Sequence, residues 1–430
     1  MLITIWMFLF VILFMFGYPV IFSISVPSMI YVILAGISPA VILDHMAISF
    51  EKNFILLAVP LFILAARIMN ESTITERLFN FADKLVGSLK GGLGHVNIVA
   101  SIIFSGMTGS AIADASGLGL IEIKSMTDAG FDPEFSCAVT SASATIGPII
   151  PPSIPMVIYS MISGASIGHL FIGGIIPGLF LGFSMMIYTA YISHKRNYPT
   201  GETFNLKRLG KSFLGGFFPL LTPVILLWGI YGGVFTPTEA AAATVIYALI
   251  LSVIGYRILG FKKLVTVFKE SALSTGYVSG MVGSALLFSY IVSREQLPAL
   301  LTNYVMDSGI ITNKYMYLLF VNILLLSLGC IMDPIVGQLI VMPILIPVAI
   351  YFGIDLIHLG VISVLNAMIG LSTPPYGENL FIVSALSKVP LGGIIREMWP
   401  FIGVLIAVLL ACTYIPGIVL WLPKLVGYIP

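Results

Sequence analysis

The chain has 430 residues, 58% of them hydrophobic and 9% charged, with a formal net charge of +1 and a mean hydropathy of +1.07. A soluble domain carries about 25% charged residues, so this surface cannot be hydrated throughout and lipid must be the solvent for most of it. The balanced charge gives no electrostatic case for nucleic acid. Cys137, Cys330 and Cys412 are far apart inside apolar runs, which excludes a disulfide framework or a zinc site.

In chain order, residues 2–16 are apolar with no basic segment before them and no small-residue cleavage site after them, so they read as a retained first span. With spans of about 20 apolar residues, the pattern predicts 2–17, 18–36, 54–71, 167–194, 213–232, 236–257, 271–292 and 398–422. Stretches 131–163 and 355–387 also cross, each interrupted by a Gly and Pro cluster. Stretches 92–128 and 313–352 are apolar, contain glycine and bend near their middles.

The densest basic runs, Lys195 to Lys211 and Arg257 to Lys269, are separated by an even number of spans and can share the cytoplasmic side. Arg77, Lys84, Lys90 and Lys124 join them if 92–128 is a re-entrant hairpin, and Lys388 and Arg396 join them if 313–352 is one too. The expected result is ten crossings with both termini periplasmic, leaving Lys52, Arg294, Lys314 and Lys424 outside.

Sliding the chain against itself by 223 residues pairs Gly106 with Gly329, Gly130 with Gly353, Asp132 with Asp355 and Gly147 with Gly370. It also pairs Pro151-Pro152 with Pro374-Pro375 and Pro177 with Pro400. These are backbone-shaping residues, the kind a duplicated fold keeps after its side chains diverge. An odd number of spans lies between equivalent elements, so the halves are expected to be inverted. The fold class is therefore an all-α polytopic membrane protein of two inverted repeats, each with a re-entrant helical hairpin and a broken helix.

The expected domains are scaffold helices at 1–71, a first half of a transport domain at 72–163, further scaffold at 164–292, a second transport half at 293–387 and a C-terminal scaffold helix at 388–430.

Chemistry concentrates where backbone is freed. Pro-Pro in mid-span removes N–H donors and clashes with the preceding turn, exposing carbonyls that are tolerated only around a protein-enclosed cavity. Those carbonyls, with Ser and Thr hydroxyls, make a hard oxygen cage suited to Na⁺, and the helix restarting at Pro152 or Pro375 aims its positive end at an anion. Each hairpin tip is glycine-containing and can approach the break of its own half.

The first cation site is expected at Ser105, Gly106, Thr108, Thr145 and Gly147, and the second at Gly329, Met332, Asp333, Gly370 and Thr373. Ser110, Ser153, Asn366 and Tyr376 are the candidates for substrate. Two simple proline kinks without a ligand are the bland alternative, and Asp333, before Pro334, reads equally as an ion ligand or a helix cap. Asp114, beside a tip, is costly in a membrane and functional by default.

Elsewhere, Arg67 near a span end reads as snorkelling, and Thr236-Pro237-Thr238-Glu239 as a capping box. Gly174, Gly178 and Gly182 read as close helix packing. Gly164-Ala165-Ser166-Ile167-Gly168 matches a hydrolase nucleophile elbow, but that motif needs an α/β sheet and here it joins two membrane helices. With no H-E-x-x-H and no paired catalytic carboxylates, no enzyme is expected, and a channel would need a continuous polar pore where these polar residues gather at breaks.

The segment Val234-Phe235-Thr236-Pro237-Thr238-Glu239-Ala240-Ala241, the G-x-x-x-P-P break at 147–152, its twin at 370–375 and the Phe104-Ser105-Gly106 tip together resemble the large DctM/SiaM-like permease subunit of TRAP (tripartite ATP-independent periplasmic) transporters, over essentially the whole chain. The resemblance implies Na⁺-driven uptake of an organic acid across the bacterial inner membrane by an elevator movement. It also implies a small four-helix membrane subunit, absent from this chain, and a periplasmic binding protein that delivers the solute. Family substrates include C4-dicarboxylates, sialic acid and other carboxylates, and the overall look resembles the sialic acid members. A stand-alone ion-coupled organic-anion symporter is the alternative.

Overall fold

The computed structural model describes residues 2–48, 54–72, 74–300, 303 and 311–429, and every named element among them is helical. Lys52 lies outside the described residues. Helices α1 (Leu2–Met15), α2 (Val20–Leu34) and α3 (Ala40–Leu43) precede α4 (Ala58–Asn70) and the amphipathic α5 (Ile74–Val86). Then come α6 (Gly92–Thr108), α7 (Ala111–Gly117), α8 (Gly119–Asp128), α9 (Pro133–Ser143) and α10 (Ile154–Ser163). The longer α11 (Ile167–Lys195), α12 (Leu206–Tyr231), α13 (Pro237–Leu249) and α14 (Phe261–Arg294) follow. The chain ends with α15 (Lys314–Gly329), α16 (Pro334–Tyr351), α17 (Leu356–Leu371), α18 (Glu378–Ser387), α19 (Leu391–Tyr414) and α20 (Pro416–Leu425). Among the described residues, six helices are each long and apolar enough to cross a bilayer alone.

Local rules explain most helix starts. Thr236 and Glu239 form the expected capping box at α13. Asn205 caps α12 through Lys207 and Arg208 backbone N–H groups at 3.0 and 3.3 Å, and Asp355 caps α17 through Ile357 and His358 at 2.8 and 3.0 Å. The span expected at 398–422 is two helices, because Ile415 leaves the helical region at φ −119°, ψ 79° and Pro416 begins the next helix. Arg67 does not merely snorkel: it pairs with Glu270 at 2.6 Å and donates to Ser274 at 2.9 Å, tying α4 to α14.

The segment 92–128 folds back on itself. A Cβ on Gly94 would lie 2.8 Å from Thr189 and 3.9 Å from both Met126 and Phe131, so the two ends of the segment are neighbours. They sit at the C-terminal end of α11, where Phe131 stacks on Tyr198 at 4.4 Å and Asp132 accepts from Tyr198 at 2.6 Å and Arg196 at 3.0 Å. The segment 314–351 also folds back: Tyr317 stacks on Phe352 at 5.4 Å and donates to the Leu345 carbonyl at 2.6 Å. Its base lies toward the other end of α11, through Asp355, which accepts from Tyr428 at 2.8 Å, and Tyr428, which packs on His169 at 4.9 Å. One hairpin thus enters from each end of a helix about 43 Å long at 1.5 Å per residue, and both tips reach its middle.

α11 can take that position because of its glycines. A Cβ at Gly174 would lie 2.1 Å from the Ile149 carbonyl oxygen, and one at Gly178 or Gly182 would lie 2.4 Å from Ile150 or Ile102. The expected close packing is therefore against the first break and its hairpin. α11 and α19 bury Phe171, Leu181, Met398 and Phe401 in the same core as both broken helices. A separate cluster joins α1 and α2 to α14, with Trp6 against Phe288 at 4.5 Å and donating to Ser28 at 3.2 Å.

Candidate functional site

Each hairpin tip meets the break of its own half. In the first half α6 ends at Thr108, Gly109 turns the chain in the left-handed region at φ 60°, and Ser110 caps α7 by accepting from the Ala113 N–H at 3.3 Å. A Cβ at Gly109 would lie 2.4 Å from the Pro152 carbonyl oxygen, so only glycine fits there. The break runs from a 3-10 turn at Ala144–Ile146 to Ser153, which caps α10 through the Met156 N–H at 3.2 Å. A Cβ at Gly147 would lie 3.4 Å from the Ser110 carbonyl, bringing both sides of the first expected cation site together.

The hydroxyls there have a telling arrangement. Ser105 donates to the Ile102 carbonyl and Thr145 to the Ala142 carbonyl, each at 2.6 Å. With their hydrogens used on their own helices, both oxygens keep lone pairs to offer. Thr108 is fully buried and its hydroxyl has no partner. These residues fit a small hard cation, whose demand is for oxygen lone pairs.

The second half repeats the geometry with different chemistry. A Cβ at Gly370 would lie 2.6 Å from the Cα and carbonyl carbon of Gly329, so tip and break cross backbone to backbone. Asp333 caps α16, its Oδ1 accepting from Ile335 at 2.8 Å and Val336 at 3.4 Å. Both earlier readings of Asp333 stay compatible, because the cap engages one carboxylate oxygen. Thr373 donates to the Ile369 carbonyl at 2.6 Å, as Thr145 does in its half. Both breaks carry a cis Pro-Pro bond, at Pro151-Pro152 and Pro374-Pro375.

Between the halves lies a cavity of about 50 Å³ lined by both tips and both broken helices, including Ser110, Pro148, Ile154, Asp333, Ile335 and Met368. The N-terminal residues of α10 and α16 face it, those of α10 as a positive helix end and those of α16 already capped by the Asp333 carboxyl group. It has room for a water or a small ion and none for an organic acid. Of the four substrate candidates, Ser110 lines it. Ser153 is spent on its cap, Asn366 lies in a buried network with Asn322 at 3.0 Å, and Tyr376 is 64% exposed beyond the break.

Polar groups the sequence reading passed over link the halves. Ser372 donates to the Ser141 carbonyl at 2.8 Å and accepts from Asn379 at 3.1 Å, joining the second break to α9 of the first half. In each half an asparagine of the first hairpin helix ties it to the broken helix: Asn97 donates to Thr140 at 2.6 Å and accepts from Ser143 at 2.7 Å, and Asn366 donates to Asn322. A polar residue inside an apolar run was the available signal. Asp114, flagged at the sequence level, is 2% exposed, and Glu122, not flagged, is 1% exposed.

Comparison with known proteins agrees with this architecture. The family model described as "Tripartite ATP-independent periplasmic transporter, DctM component" matches residues 6–418. The sialic acid TRAP transporter large permease protein SiaM of Vibrio cholerae is 43% identical, with 96% of each chain covered. The C4-dicarboxylate TRAP transporter large permease protein DctM of Pseudomonas aeruginosa is 37% identical over 88% of each chain. Among solved structures, the YdaH transporter of Alcanivorax borkumensis, described as having an unusual topology, matches with a TM-score of 0.63 at 14% identity, covering 89% of this chain and 87% of that one. At that identity the likeness speaks for the fold alone.

Proposed function

The chain belongs to the DctM component family of tripartite ATP-independent periplasmic transporters, and from that premise we propose that it is the large membrane subunit of a sodium-driven importer of an organic acid. The observation that carries this reading is the pair of tip-and-break junctions meeting around one small cavity midway along α11. Na⁺ at the oxygen-rich junctions orders both tips, and the carboxylate of the substrate then takes the positive end of α10, whose cap Ser153 is uncharged. Sialic acid is the favoured substrate, since the SiaM relative is the more similar of the two permeases compared. C4-dicarboxylates stand next.

The partners in this reading are a small four-helix membrane subunit and a periplasmic binding protein that hands over the solute. The chain sits in the bacterial inner membrane with the Arg196 end of α11 cytoplasmic and both termini periplasmic, which agrees with the basic residues clustered near that end. The two hairpins entering from opposite ends of α11 support an inverted repeat. The cavity is too small for an organic acid, which supports a closed state between two open ones. In the elevator reading the hairpins and broken helices slide against α12 and α14, and the glycine contacts of α11 carry that helix with them.

Radiolabelled sialic acid uptake into proteoliposomes tests this, with the small subunit, the binding protein and an inward Na⁺ gradient each supplied or withheld. Uptake that requires all three is the expected result, and uptake without the binding protein would favour the stand-alone symporter. The movement has its own test. A Cβ at Gly106 would lie 3.0 Å from Pro223 Cβ on α12, so paired cysteines at 106 and 223 should cross-link and stop transport reversibly. Undiminished uptake by the cross-linked protein would sink the elevator.

A further inference from the structure

Away from the transport site, two helices bring basic side chains to one recess. Arg77, Asn80 and Lys84 recur at helical spacing on α5, and Arg208, Lys211, Ser212 and Gly215 do so on α12. The two stripes face each other across a cavity of about 340 Å³, within the range of small-ligand sites, roughly 300–1,000 Å³.

Part of this charge is already neutralised. Lys84 pairs with Asp83 at 2.8 Å and with Glu202 at 3.1 Å, and Glu202 takes Arg208 at 2.6 Å. The hydrogen bond from Lys84 holds the Glu202 carboxyl below its ordinary range, so it stays ionised. Arg77 and Lys211 have no carboxylate partner among the described residues. The Arg77 guanidinium is instead fixed over the Tyr256 ring at 4.3 Å, with one terminal N–H on the Gly215 carbonyl at 3.4 Å. Among the described residues its buried Nε has no acceptor, and the buried Ser212 hydroxyl has no partner. Unsatisfied buried donors beside an unpaired cation call for an anionic acceptor with several oxygens.

The surroundings say what carries that anion. Phe81, Phe213, Phe217 and Phe218 form a chain of ring contacts at 5.6–5.8 Å along the same two helices. Phe213, Phe217 and Phe218 are 41%, 38% and 52% exposed, and Leu214 between them is 72% exposed. Aromatic and aliphatic surface directly beside a basic recess matches a ligand with an anionic head and an apolar tail. Lys90 and Thr200, bridged nearby, belong to the same end of the molecule as Arg196, the membrane face where the basic residues gather.

We propose that this recess binds the phosphodiester headgroup of an anionic phospholipid, with Arg77, Lys211 and Ser212 as its principal contacts and the exposed phenylalanines along its acyl chains. Such lipids are attracted by juxtamembrane basic clusters. The lipid would brace α5 against α12 and so fix the cytoplasmic end of the chain.

The test is native mass spectrometry of the detergent-purified full chain with phosphatidylglycerol, phosphatidylcholine or inorganic phosphate added, alongside thermal melting. Phosphatidylglycerol should give retained adducts and a higher melting temperature, and phosphatidylcholine neither. R77Q combined with K211Q should weaken retention roughly 10- to 30-fold. K211Q alone, at an exposed position that cannot compromise folding, should weaken it several-fold. Equal retention of both lipids, or no loss in K211Q, would overturn the proposal. Stabilisation by inorganic phosphate equal to that by phosphatidylglycerol would overturn the lipid and leave a free-anion site.

Discussion

The two tip-and-break junctions share a backbone and differ in chemistry. The first is made of hydroxyls, with an uncharged cap at Ser110 and an orphan hydroxyl at Thr108. The second is made of bare backbone, a Gly329–Gly370 crossing, with a charged cap at Asp333. Duplicated frameworks keep the residues that shape the chain and release those that bind. In the proposed reading, the same fold would hold an ion by hydroxyl oxygens in one half and beside a carboxylate in the other. At the matched positions Gly147 and Gly370, the first junction leaves more room for a methyl group than the second.

Adding one methyl group to each junction attacks that contrast most directly. Gly370→Ala forces a Cβ to 2.6 Å from the Gly329 backbone, which cannot yield as a flexible side chain would. Overpacking of this kind costs about 3 kcal/mol, and the variant should lose uptake and melt at a lower temperature. Gly147→Ala meets nothing closer than 3.2 Å and should cost roughly 1 kcal/mol or less by the same reasoning. Equal losses in melting temperature would break the comparison.

The caps come next. Asp333→Asn keeps a good cap and removes the charge, so its melting temperature should change little. The Na⁺ dependence of uptake should shift by about 10- to 100-fold in concentration, the equivalent of a lost contact to a charged group. Ser110→Ala removes a cap worth about 1 kcal/mol and should lower stability more than it shifts Na⁺ dependence. If the two variants behaved alike, the caps would be structural in both halves.

Ser372→Ala probes the link between the halves rather than either junction. It would strand the Asn379 amide and remove a donor from the Ser141 carbonyl, a loss of about 1–3 kcal/mol for buried groups left unpaired. Melting of the purified protein reads this directly, and no change would mean that this hydrogen bond contributes nothing to holding the halves together.

The junctions were legible in the sequence because they rest on Gly and Pro, whose backbone demands are local. Offset identity at Gly106/Gly329, Gly147/Gly370 and the Pro-Pro pairs points to the places where tip and break meet. The Ser141–Ser372–Asn379 link was not legible, because its partners are distant in sequence and serine is common in membrane helices. The division at 398–422 failed for a different reason. Hydropathy runs unbroken through Pro416, while the backbone leaves the helical region at Ile415 and Pro416 begins a new helix. The glycine spacing of α11 was legible for what it does, since it lets that helix lie against the first break.

The smallest effect is expected at Tyr376. Tyr376 is one of the four substrate candidates and follows the second Pro-Pro pair directly. The side chain is 64% exposed and does not line the cavity between the tips. Exposed substitutions away from such features stay within roughly 0.5 kcal/mol. Tyr376→Phe should therefore leave uptake and its KM within about twofold, the kinetic equivalent of that energy. A large rise in KM with unchanged melting would mean that Tyr376 swings inward when the tips part. The second half would then recruit a side chain for substrate that its first-half counterpart lacks, and the asymmetry between the junctions would extend from the ion to the anion.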